Sequence, residues 1–556
     1  MKATTREELE DRLSTLAILL QDLRLPGDAA AVETGRQHLS VLTAALVFRL
    51  HRRRTGRKGL ALLIGPSGSG KSTIFNLLVG QDLSRVSSVE RPSTLGAIGV
   101  WPKNGGPPPS SDQLASIPVQ DDARRPTPGR VATLSLAAIE ESRTGLEAPL
   151  IDCPDYDTHI DANRELTAKL LPFAERLLFV TSAERYGDRS SEAFLKELER
   201  LRSPLLAILN RVERESLDEL VADFRRRLDL GLSEPAEIVC ILQHPRDRLG
   251  DHADLATVRL FLNAESDDSR TNLTFMRDTI VGDLATVVFL PLAELDRVRG
   301  SLGAALRRAL GEDSSFDADP ALGGLRRFEE DTRFFLRYSP RGLWRGMREV
   351  VRKPTSFFAV PELPAEPKDD RFRAMVRDQG RTAFDQILVR GREILKTEAL
   401  GRALLESPDR PDAELPTTEI DEAFEPLARE MADWARERMD AFRKLHGKRR
   451  GPLGRLRYLA VDKVLKLVAL GITLTVFPPL LQELLRMIGV PAFTSEVEAK
   501  LVDSRGRFRG VLETLAERQV RRWDQGLAAL LPSTEDRSAL EAGLQALRSQ
   551  STGDLR

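Results

Sequence analysis

The sequence predicts an α/β domain with a mostly parallel sheet and flanking helices, joined to a large all-α helical bundle or stalk. Short apolar runs alternate with helical patterns between about residues 59 and 242, and this alternation is typical of sheets built from βαβ units. Beyond about Asp267 the strand patterns fade and amphipathic helices dominate. A glycine-rich loop follows the first apolar run and places a phosphate-binding motif at the start of the sheet.

The composition excludes several classes of protein. The 556 residues include 83 Lys and Arg against 84 Asp and Glu, a formal net charge of −1, so no nucleic-acid partner is expected. Hydrophobic residues make up 41% of the chain, enough for a sizeable core. The 2 cysteines exclude a disulfide scaffold, and the 6 scattered histidines disfavour a metallohydrolase. The polar N-terminus lacks a cleavage site, which favours a cytoplasmic protein.

Seven apolar runs predict the strands of the sheet. They are Gly59 to Ile64, Leu95 to Trp101, Val131 to Leu136, Ala148 to Ile151, Leu177 to Thr181, Leu205 to Leu209 and Ile238 to Leu242. The first run is unbroken and predicts a strand buried on both faces. Helices are predicted at Thr73 to Val79, Ser190 to Leu201 and Ser216 to Leu228. The Pro/Gly/Ser-rich stretch from Pro102 to Pro128 predicts an inserted surface loop.

Helical patterns flank the sheet on both sides. Leucines spaced 4-3-4-3 from Leu9 to Leu23, as in a coiled coil, predict one helix, and a second helix is predicted from about Asp28 to Leu50. The basic run from Arg49 to Lys58 is interpreted as a solvated helix end, with a phosphate or lipid contact as the alternative. Further helices are predicted from Thr417 and from near Ser495. The predicted division is 1–57 for N-terminal helices, 58–265 for the sheet domain, 266–360 for a helical region and 361–556 for a C-terminal bundle.

The strongest motif is the loop after the first strand, which fits G-x-x-x-x-G-K-[ST]. Small residues let several backbone N–H groups converge on a phosphate, and the following helix adds its positive N-terminal dipole. Lys71 is expected to contact the β- and γ-phosphates as a catalytic residue, and Ser72 is expected to bind Mg²⁺. The expected nucleotide-binding residues of this loop are Gly65, Ser67, Gly68, Ser69, Gly70, Lys71, Ser72 and Thr73.

Three weaker motifs follow the loop. The segment Arg91-Pro92-Ser93-Thr94 ends 23 residues past Lys71. The run Leu150-Ile151-Asp152-Cys153-Pro154-Asp155 places Asp152 at the end of an apolar strand, where it could hold Mg²⁺ through water. The run Asn210-Arg211-Val212-Glu213 ends another strand, 58 residues after Asp152.

Together the four motifs resemble those of P-loop GTPases of the translation-factor-related class, in particular dynamin-like large GTPases, over about Gly59 to Asp251. The resemblance implies GTP and Mg²⁺ as ligands and slow hydrolysis that rearranges the flanking helices. It also implies that Thr94 closes on Mg²⁺ during catalysis, and that Asn210, Arg211 and Glu213 contact the guanine base. Self-association through the GTPase domain or the helices is a further implication, as is a helical neck built from both flanks.

The sequence departs from that family at three positions. Asp155 replaces the glycine of D-x-x-G, and its carboxylate would repel a γ-phosphate. Arg211 and Glu213 replace the lysine and aspartate of N-K-x-D, so ATP stays open as a ligand. A nucleotide-gated binding module with little hydrolysis, and a structural protein with a vestigial P-loop, also remain as alternatives.

Two segments suggest contact with an anionic membrane surface. Arg443 to Arg457 is basic, and Leu467 to Gln482 runs 16 residues without a charge. The segment 464–485 is therefore expected to be a buried bundle helix, an interfacial tip or a membrane span. The amphipathic stretch Arg341 to Lys353 is expected either to pack on its own domain or to bind a membrane or a partner helix. The predicted localisation is cytoplasmic, peripheral at the membrane or inserted through 464–485.

Overall fold

The structure, a computed structural model, describes ten ranges of the chain. They are 5–27, 30–84, 96–120, 132–233, 235–242, 253–264, 269–312, 369–408, 413–446 and 491–550. The chain separates into two compact units. The first comprises Met1–Leu292 with Pro532–Arg556, and the second comprises Ala293–Leu531.

An eight-stranded sheet forms the centre of the first unit. Its strands are β1 (Ala61–Ile64), β2 (Ala97–Pro102), β3 (Val119–Gln120), β4 (Leu134–Ile139), β5 (Leu150–Asp152), β6 (Arg176–Ser182), β7 (Leu205–Val212) and β8 (Glu237–Leu242). Their order in the sheet is β3-β4-β2-β5-β1-β6-β7-β8. Only the β2–β5 pair is antiparallel among these neighbours. The mostly parallel sheet and all seven predicted strands are confirmed.

Helices cover the sheet and form the remaining described structure. In the first unit they are α1 (Arg6–Asp22), α2 (Ala30–Arg54), α3 (Lys71–Val79), α4 (Glu141–Thr144), α5 (Asp161–Leu170), α6 (Arg189–Glu199), α7 (Leu217–Gly231), α8 (Ala253–Asn263) and α9 (Ser269–Leu284). The helix α10 (Leu290–Arg307) precedes α11 (Asp369–Leu395), α12 (Ala399–Glu406), α13 (Thr417–His446), α14 (Pro491–Ala529) and α15 (Thr534–Ser549). The predicted all-α C-terminal region is confirmed for the described residues, where no strand follows β8.

Strand β1 determines the position of the glycine-rich loop that follows it. All four of its residues are buried, and β1 lies inside the sheet with β5 paired on one edge and β6 on the other. The chain proceeds from β1 to strands on the β5 side and later crosses to β6 on the other side. In open α/β sheets, ligands bind beyond the carboxyl ends of strands at such a reversal. The loop that leaves β1 occupies this position.

The stretch from Pro102 to Pro128 differs from the predicted surface loop. Its described part contains two 3₁₀ turns, Lys103–Gly105 and Asp112–Leu114, and the edge strand β3. The turn is anchored because the indole N–H of Trp101 donates to the Gly106 carbonyl at 3.0 Å. Leu114 is fully buried. The inserted stretch therefore extends the sheet by one short strand, whereas residues 121–131 lie outside the described ranges.

Both ends of the chain contribute helices to the first unit. Leu9, Leu13, Leu16 and Leu20 are buried along one face of α1, as their spacing predicts. Helix α1 packs against α2 and against the C-terminal helix α15. A Cβ on Gly543 of α15 would lie 2.9 Å from Leu16, so the two helices approach closely there. Helix α1 therefore joins α2 and the C-terminal helix α15 within the first unit.

Two arginines at the basic end of α2 are buried, so the interpretation of this end as solvated was wrong for them. Arg49 is 3% exposed and donates to the carbonyl oxygens of Pro172, at 2.7 Å, and Ala174. The Nε of Arg52 donates to the Lys58 carbonyl at 2.8 Å. Burial lowers the pKa of each guanidinium to about 10, still far above neutrality, so both stay charged. Arg49 thus satisfies carbonyl groups in the turn before β6, and Arg52 satisfies one before β1, both at the edge of the sheet opposite its carboxyl end.

In the second unit, α11, α13 and α14 share an apolar core. Ile420, Phe424, Leu427 and Met431 are buried at the predicted 4-3-4 spacing of α13. Ion pairs join the helices at the surface, including Lys500 to Glu430 at 2.8 Å. Exposed pairs of this kind stabilise a fold by no more than about 1 kcal/mol, so apolar burial provides most of the stability.

Several predictions about membrane contact fall outside the described residues. The segment 464–485, the basic run after residue 446 and the amphipathic stretch from 341 to 353 all lie there. Within the described ranges, the apolar stretches of the helices are too short or too interrupted by charge to span a membrane.

A close contact between α11 and α14 predicts the effect of a single methyl group. A Cβ on Gly391 would lie 2.1 Å from the buried ring of Trp523, whereas Gly510 of α14 faces open space. We expect Gly391→Ala to destabilise the second unit by about 1–3 kcal/mol through overpacking. Gly510→Ala, the matched control, should stabilise it by about 0.4–1 kcal/mol, because alanine favours the helix.

Denaturant unfolding of the full chain checks this prediction. Equal effects of the two substitutions would contradict the tight contact between Gly391 and Trp523.

Candidate functional site

The loop after β1 has the backbone geometry of a phosphate-binding loop. It runs from Gly65 to Gly70 between β1 and the N-terminus of α3. Gly68 and Gly70 adopt positive φ angles of 74° and 95°, which favour glycine. A Cβ on Gly65 would lie 1.9 Å from the Val180 carbonyl oxygen, so only glycine fits against β6. The predicted strand–loop–helix context of the motif is therefore confirmed.

The side chain of Lys71 lies under this loop and is 5% exposed. Its ammonium donates to the carbonyl oxygens of Gly65 at 2.9 Å and Pro66 at 3.0 Å. It also forms an ion pair with the carboxylate of Asp155. Its three N–H donors thus have three acceptors. The sequence predicts that Asp155 lies near a phosphate, and the structure places its carboxylate on the lysine that would bind that phosphate.

Ser72 and Asp152, the predicted metal ligands, lie side by side at the start of α3 and the end of β5. The Ser72 hydroxyl donates to Oδ2 of Asp152 at 2.8 Å, and the Ser84 hydroxyl donates to the same oxygen at 2.7 Å. Oδ1 of Asp152 is buried without a hydrogen-bond partner in the described structure. Burial raises the pKa of Asp152, while Lys71 and the two hydroxyl donors oppose that rise.

These oxygens fit a Mg²⁺ ion. Mg²⁺ prefers oxygen ligands and is commonly held by one or two carboxylates together with substrate phosphates. A buried carboxylate with an unpaired oxygen is costly without a positive partner, and a divalent cation would supply one. Thr94, the third predicted ligand, lies outside the described residues.

Asn210 connects β7 to the phosphate loop. Its side-chain Nδ2 donates to the Ser69 carbonyl at 2.9 Å, and its Oδ1 accepts from the Arg211 backbone N–H at 2.9 Å. Arg211 has a φ of 60° and interrupts the register between β7 and β8. The side chains of Arg211 and Glu213 are exposed at the carboxyl end of β7. The structure thus brings Asn210 to the loop and leaves the other two residues at the surface beyond it.

Two residues of the site, Ser84 and Asp157, are not predicted from the sequence. Ser84 donates to Asp152, and the carboxylate of Asp157 accepts from the Ser67 backbone N–H at 2.8 Å. The hydroxyl of Ser69, a predicted residue of the loop, is buried without a partner in the described residues. Asp157 was detectable as a second acidic residue just after β5. Ser84 carried no such signal, because its position depends on how the chain returns after α3.

The hydrogen bonds of Asn210 predict a structural role that precedes any ligand. We expect Asn210→Asp to destabilise the first unit by about 1–3 kcal/mol, because a carboxylate would face the Ser69 carbonyl without a proton to donate. The neighbouring exposed change Glu213→Gln should stay within about 0.5 kcal/mol of the unsubstituted protein. Thermal unfolding monitored by circular dichroism measures both. An Asn210→Asp protein as stable as the control would contradict this role.

Comparisons with known proteins find similarity only at the level of three-dimensional structure. No protein-family model matches the sequence, and no curated protein matches it. One similar structure belongs to an oligomerised bacterial dynamin pair, described as a mechanism for long-range sensing and tethering of membranes. It is 14% identical, with a TM-score of 0.41, and the match covers 99% of this chain and 95% of that one.

Two further structures give similar results. A second structure of such a bacterial dynamin pair is 13% identical, with a TM-score of 0.40 and coverage of 99% and 96%. LeoA, a bacterial dynamin GTPase from ETEC, is 13% identical, with a TM-score of 0.21 and coverage of 98% and 100%. Similarity at this level does not determine the activity of this chain.

Proposed function

We propose that this protein is a Mg²⁺-dependent GTP-binding protein that hydrolyses GTP slowly. The observation that carries the proposal is the glycine-rich loop between β1 and α3, with the side chain of Lys71 beneath it. Beside the loop, the hydroxyl of Ser72 donates a hydrogen bond to Asp152 at 2.8 Å. This loop lies where the strand order reverses, at the carboxyl edge of the sheet. The arrangement provides backbone N–H groups, one ammonium and two oxygen ligands at the same place.

Each part of the site has a distinct task in this proposal. The backbone N–H groups of the loop and the N-terminus of α3 bind the phosphates, and Lys71 neutralises the β/γ end. Ser72 and Asp152 orient the metal, with Thr94 as the further predicted ligand. The bound Mg²⁺ ion supplies electrostatic stabilisation of the charge on the phosphoryl oxygens. Lys71 contributes to the same stabilisation from the protein side.

Guanine is the proposed base. Asn210 is held against the loop by its bond to Ser69, and this position places the residues after β7 beside a nucleotide bound there. The exposed carboxylate of Glu213 is an acceptor suited to the N1–H and N2–H donors of guanine. The planar guanidinium of Arg211 can stack on a purine ring.

A nucleotide-gated binding module with little turnover is the second candidate. It is favoured by Asp155, whose carboxylate pairs with Lys71 where a D-x-x-G motif would have a glycine. Both candidates require nucleotide binding, and they differ only in whether phosphate is released.

A nucleotide panel tests the proposal. We expect calorimetry with Mg²⁺ to detect GTP binding that exceeds ATP binding. Lys71→Ala should weaken it about ten- to hundredfold, because one charge-assisted contact with the phosphates is lost. Lys103→Ala, which removes an exposed lysine elsewhere in the first unit, is the matched control and should leave affinity unchanged.

The same proteins decide between the two candidates. Steady-state phosphate release above the level of the Lys71→Ala protein supports the GTPase, whereas recovery of intact GTP supports the binding module. Absence of binding to every nucleotide in the panel would refute both.

Substitutions at the proposed metal ligands are expected to change nucleotide affinity without lowering the stability of the protein. We expect Asp152→Asn and Ser72→Ala to lower nucleotide affinity about tenfold or more in Mg²⁺ and to change it little in EDTA. Asp152→Asn should not lower thermal stability, because it removes a buried carboxylate whose pKa is already raised by burial. Ser84→Ala removes the other hydroxyl hydrogen bond to Asp152 but leaves the Ser72 hydroxyl in place. It should therefore cause a smaller loss of nucleotide affinity. A Mg²⁺ dependence unchanged by Ser72→Ala would refute this metal site.

Contact with an anionic membrane and self-association remain predictions from the sequence. The similar bacterial dynamins are described as oligomerised and as tethering membranes. For this chain we propose peripheral attachment through the region of 464–485, which flotation with anionic vesicles would test.

A further inference from the structure

The segment after β5 reaches the phosphate loop at two points. The carboxylate of Asp155 pairs with the ammonium of Lys71, and Oδ1 of Asp157 accepts from the backbone N–H of Ser67 at 2.8 Å. An ammonium and a loop N–H are the groups that a phosphate-binding loop offers to a nucleotide. Two carboxylates of the chain therefore occupy groups that the proposed ligand needs.

Lys71 cannot accept a phosphate without losing a present partner. An ammonium has three N–H donors, and the carbonyls of Gly65 and Pro66 with the carboxylate of Asp155 take all three. The two carbonyls belong to the loop itself. Like charges at close range repel, so an arriving phosphate displaces the carboxylate and leaves the neutral carbonyls in place.

The acidic segment is held in position from its other side. The ring of Tyr156 stacks on Phe194 of α6 with centroids 4.1 Å apart, and its hydroxyl lies 2.7 Å from the hydroxyl of Ser191. The second oxygen of Asp157 lies 3.7 Å from Arg185. Ser191 and Phe194 are buried. The two carboxylates are therefore presented to the loop by a packed aromatic anchor.

We propose that Asp155, Tyr156 and Asp157 form an acidic clasp that holds the phosphate loop closed against nucleotide, so that binding requires its release. This inference rests on the proposed nucleotide-binding function and adds its regulation. Asp155 competes for Lys71, Asp157 competes for the Ser67 N–H, and Tyr156 fixes both to α6. The clasp lowers nucleotide affinity, and a change at α6 that frees Tyr156 raises it.

The test compares the affinities of full-length variants for GDP and for a non-hydrolysable GTP analogue, both with Mg²⁺. We expect Asp155→Ala and Asp157→Ala each to bind about tenfold or more tightly than the unsubstituted protein, since each removes a competing anion. Asp155→Asn, which keeps the size of the side chain, guards against misfolding and should also bind more tightly. Asp161→Ala is the control, because its exposed carboxylate pairs with Arg164 and has no contact with the loop.

A second measurement reports on the clasp without any nucleotide. Acetylation by an N-hydroxysuccinimide ester, followed by mass spectrometry, compares Lys71 with Lys103, whose side chain is 59% exposed. We expect Lys71 to react several times faster in Asp155→Ala than in the unsubstituted protein, while Lys103 reacts at the same rate in both.

The two measurements separate the clasp from the proposed function. Equal or weaker nucleotide binding by the Asp155 and Asp157 variants overturns the clasp and leaves the function intact. Faster labelling of Lys71, with no nucleotide bound by any variant, shows that Asp155 shields Lys71 but overturns the function, and with it the clasp as a device that excludes nucleotide. No binding and no change in labelling overturns both.

Discussion

The buried ammonium of Lys71 is the constraint on which the site depends. A charge that is 5% exposed must be neutralised and hydrogen-bonded, because desolvation is otherwise too costly. The loop supplies two carbonyls, from Gly65 and Pro66, and the remaining donor requires an anion. In this structure the anion is Asp155. The chemistry that makes the loop suitable for phosphate also makes it suitable for a carboxylate of the same chain.

Neighbouring strands of the sheet hold this loop in position through direct contacts with its glycines. The Val180 carbonyl of β6 lies against Gly65, and the side chain of Asn210 of β7 lies against Gly70. A Cβ on Gly70 would be 2.3 Å from Nδ2 of Asn210. At the opposite edge, the buried Arg49 connects α2 to the carbonyls of Pro172 and Ala174. Helix α2 is therefore attached to the turn preceding β6, and Val180 of β6 contacts the loop at Gly65. Arg49 and Val180 thus form a continuous series of contacts from α2 through β6 to the loop.

The hydrophobic pattern within short segments predicts most of the sheet. The contacts that it does not predict join residues far apart in the sequence. Seven strands were predictable because a strand buried on both faces, such as β1, must be apolar throughout. The edge strand Val119–Gln120 has only two residues and lies in a proline-rich stretch, so it is too short to show an alternating hydrophobic pattern. The phosphate loop was predictable because its residues are contiguous. The burial of Arg49 and the pairing of Lys71 with Asp155 were not, because their partners lie 123 and 84 residues away along the chain.

The charges around the loop argue for the metal ion as strongly as its oxygen ligands do. Lys71 contributes one positive charge, while Asp155 and Asp157 contribute two negative charges, of which Arg185 partly offsets one at 3.7 Å, and the buried Asp152 adds a third carboxyl group. A polyphosphate without a cation would enter a site that already carries excess negative charge. Asp152 differs from the other two carboxylates because its Oδ1 has no partner in the described residues and burial raises its pKa. A divalent cation would reverse that imbalance at Asp152 and at the phosphates together, so nucleotide and metal are expected to bind as one complex.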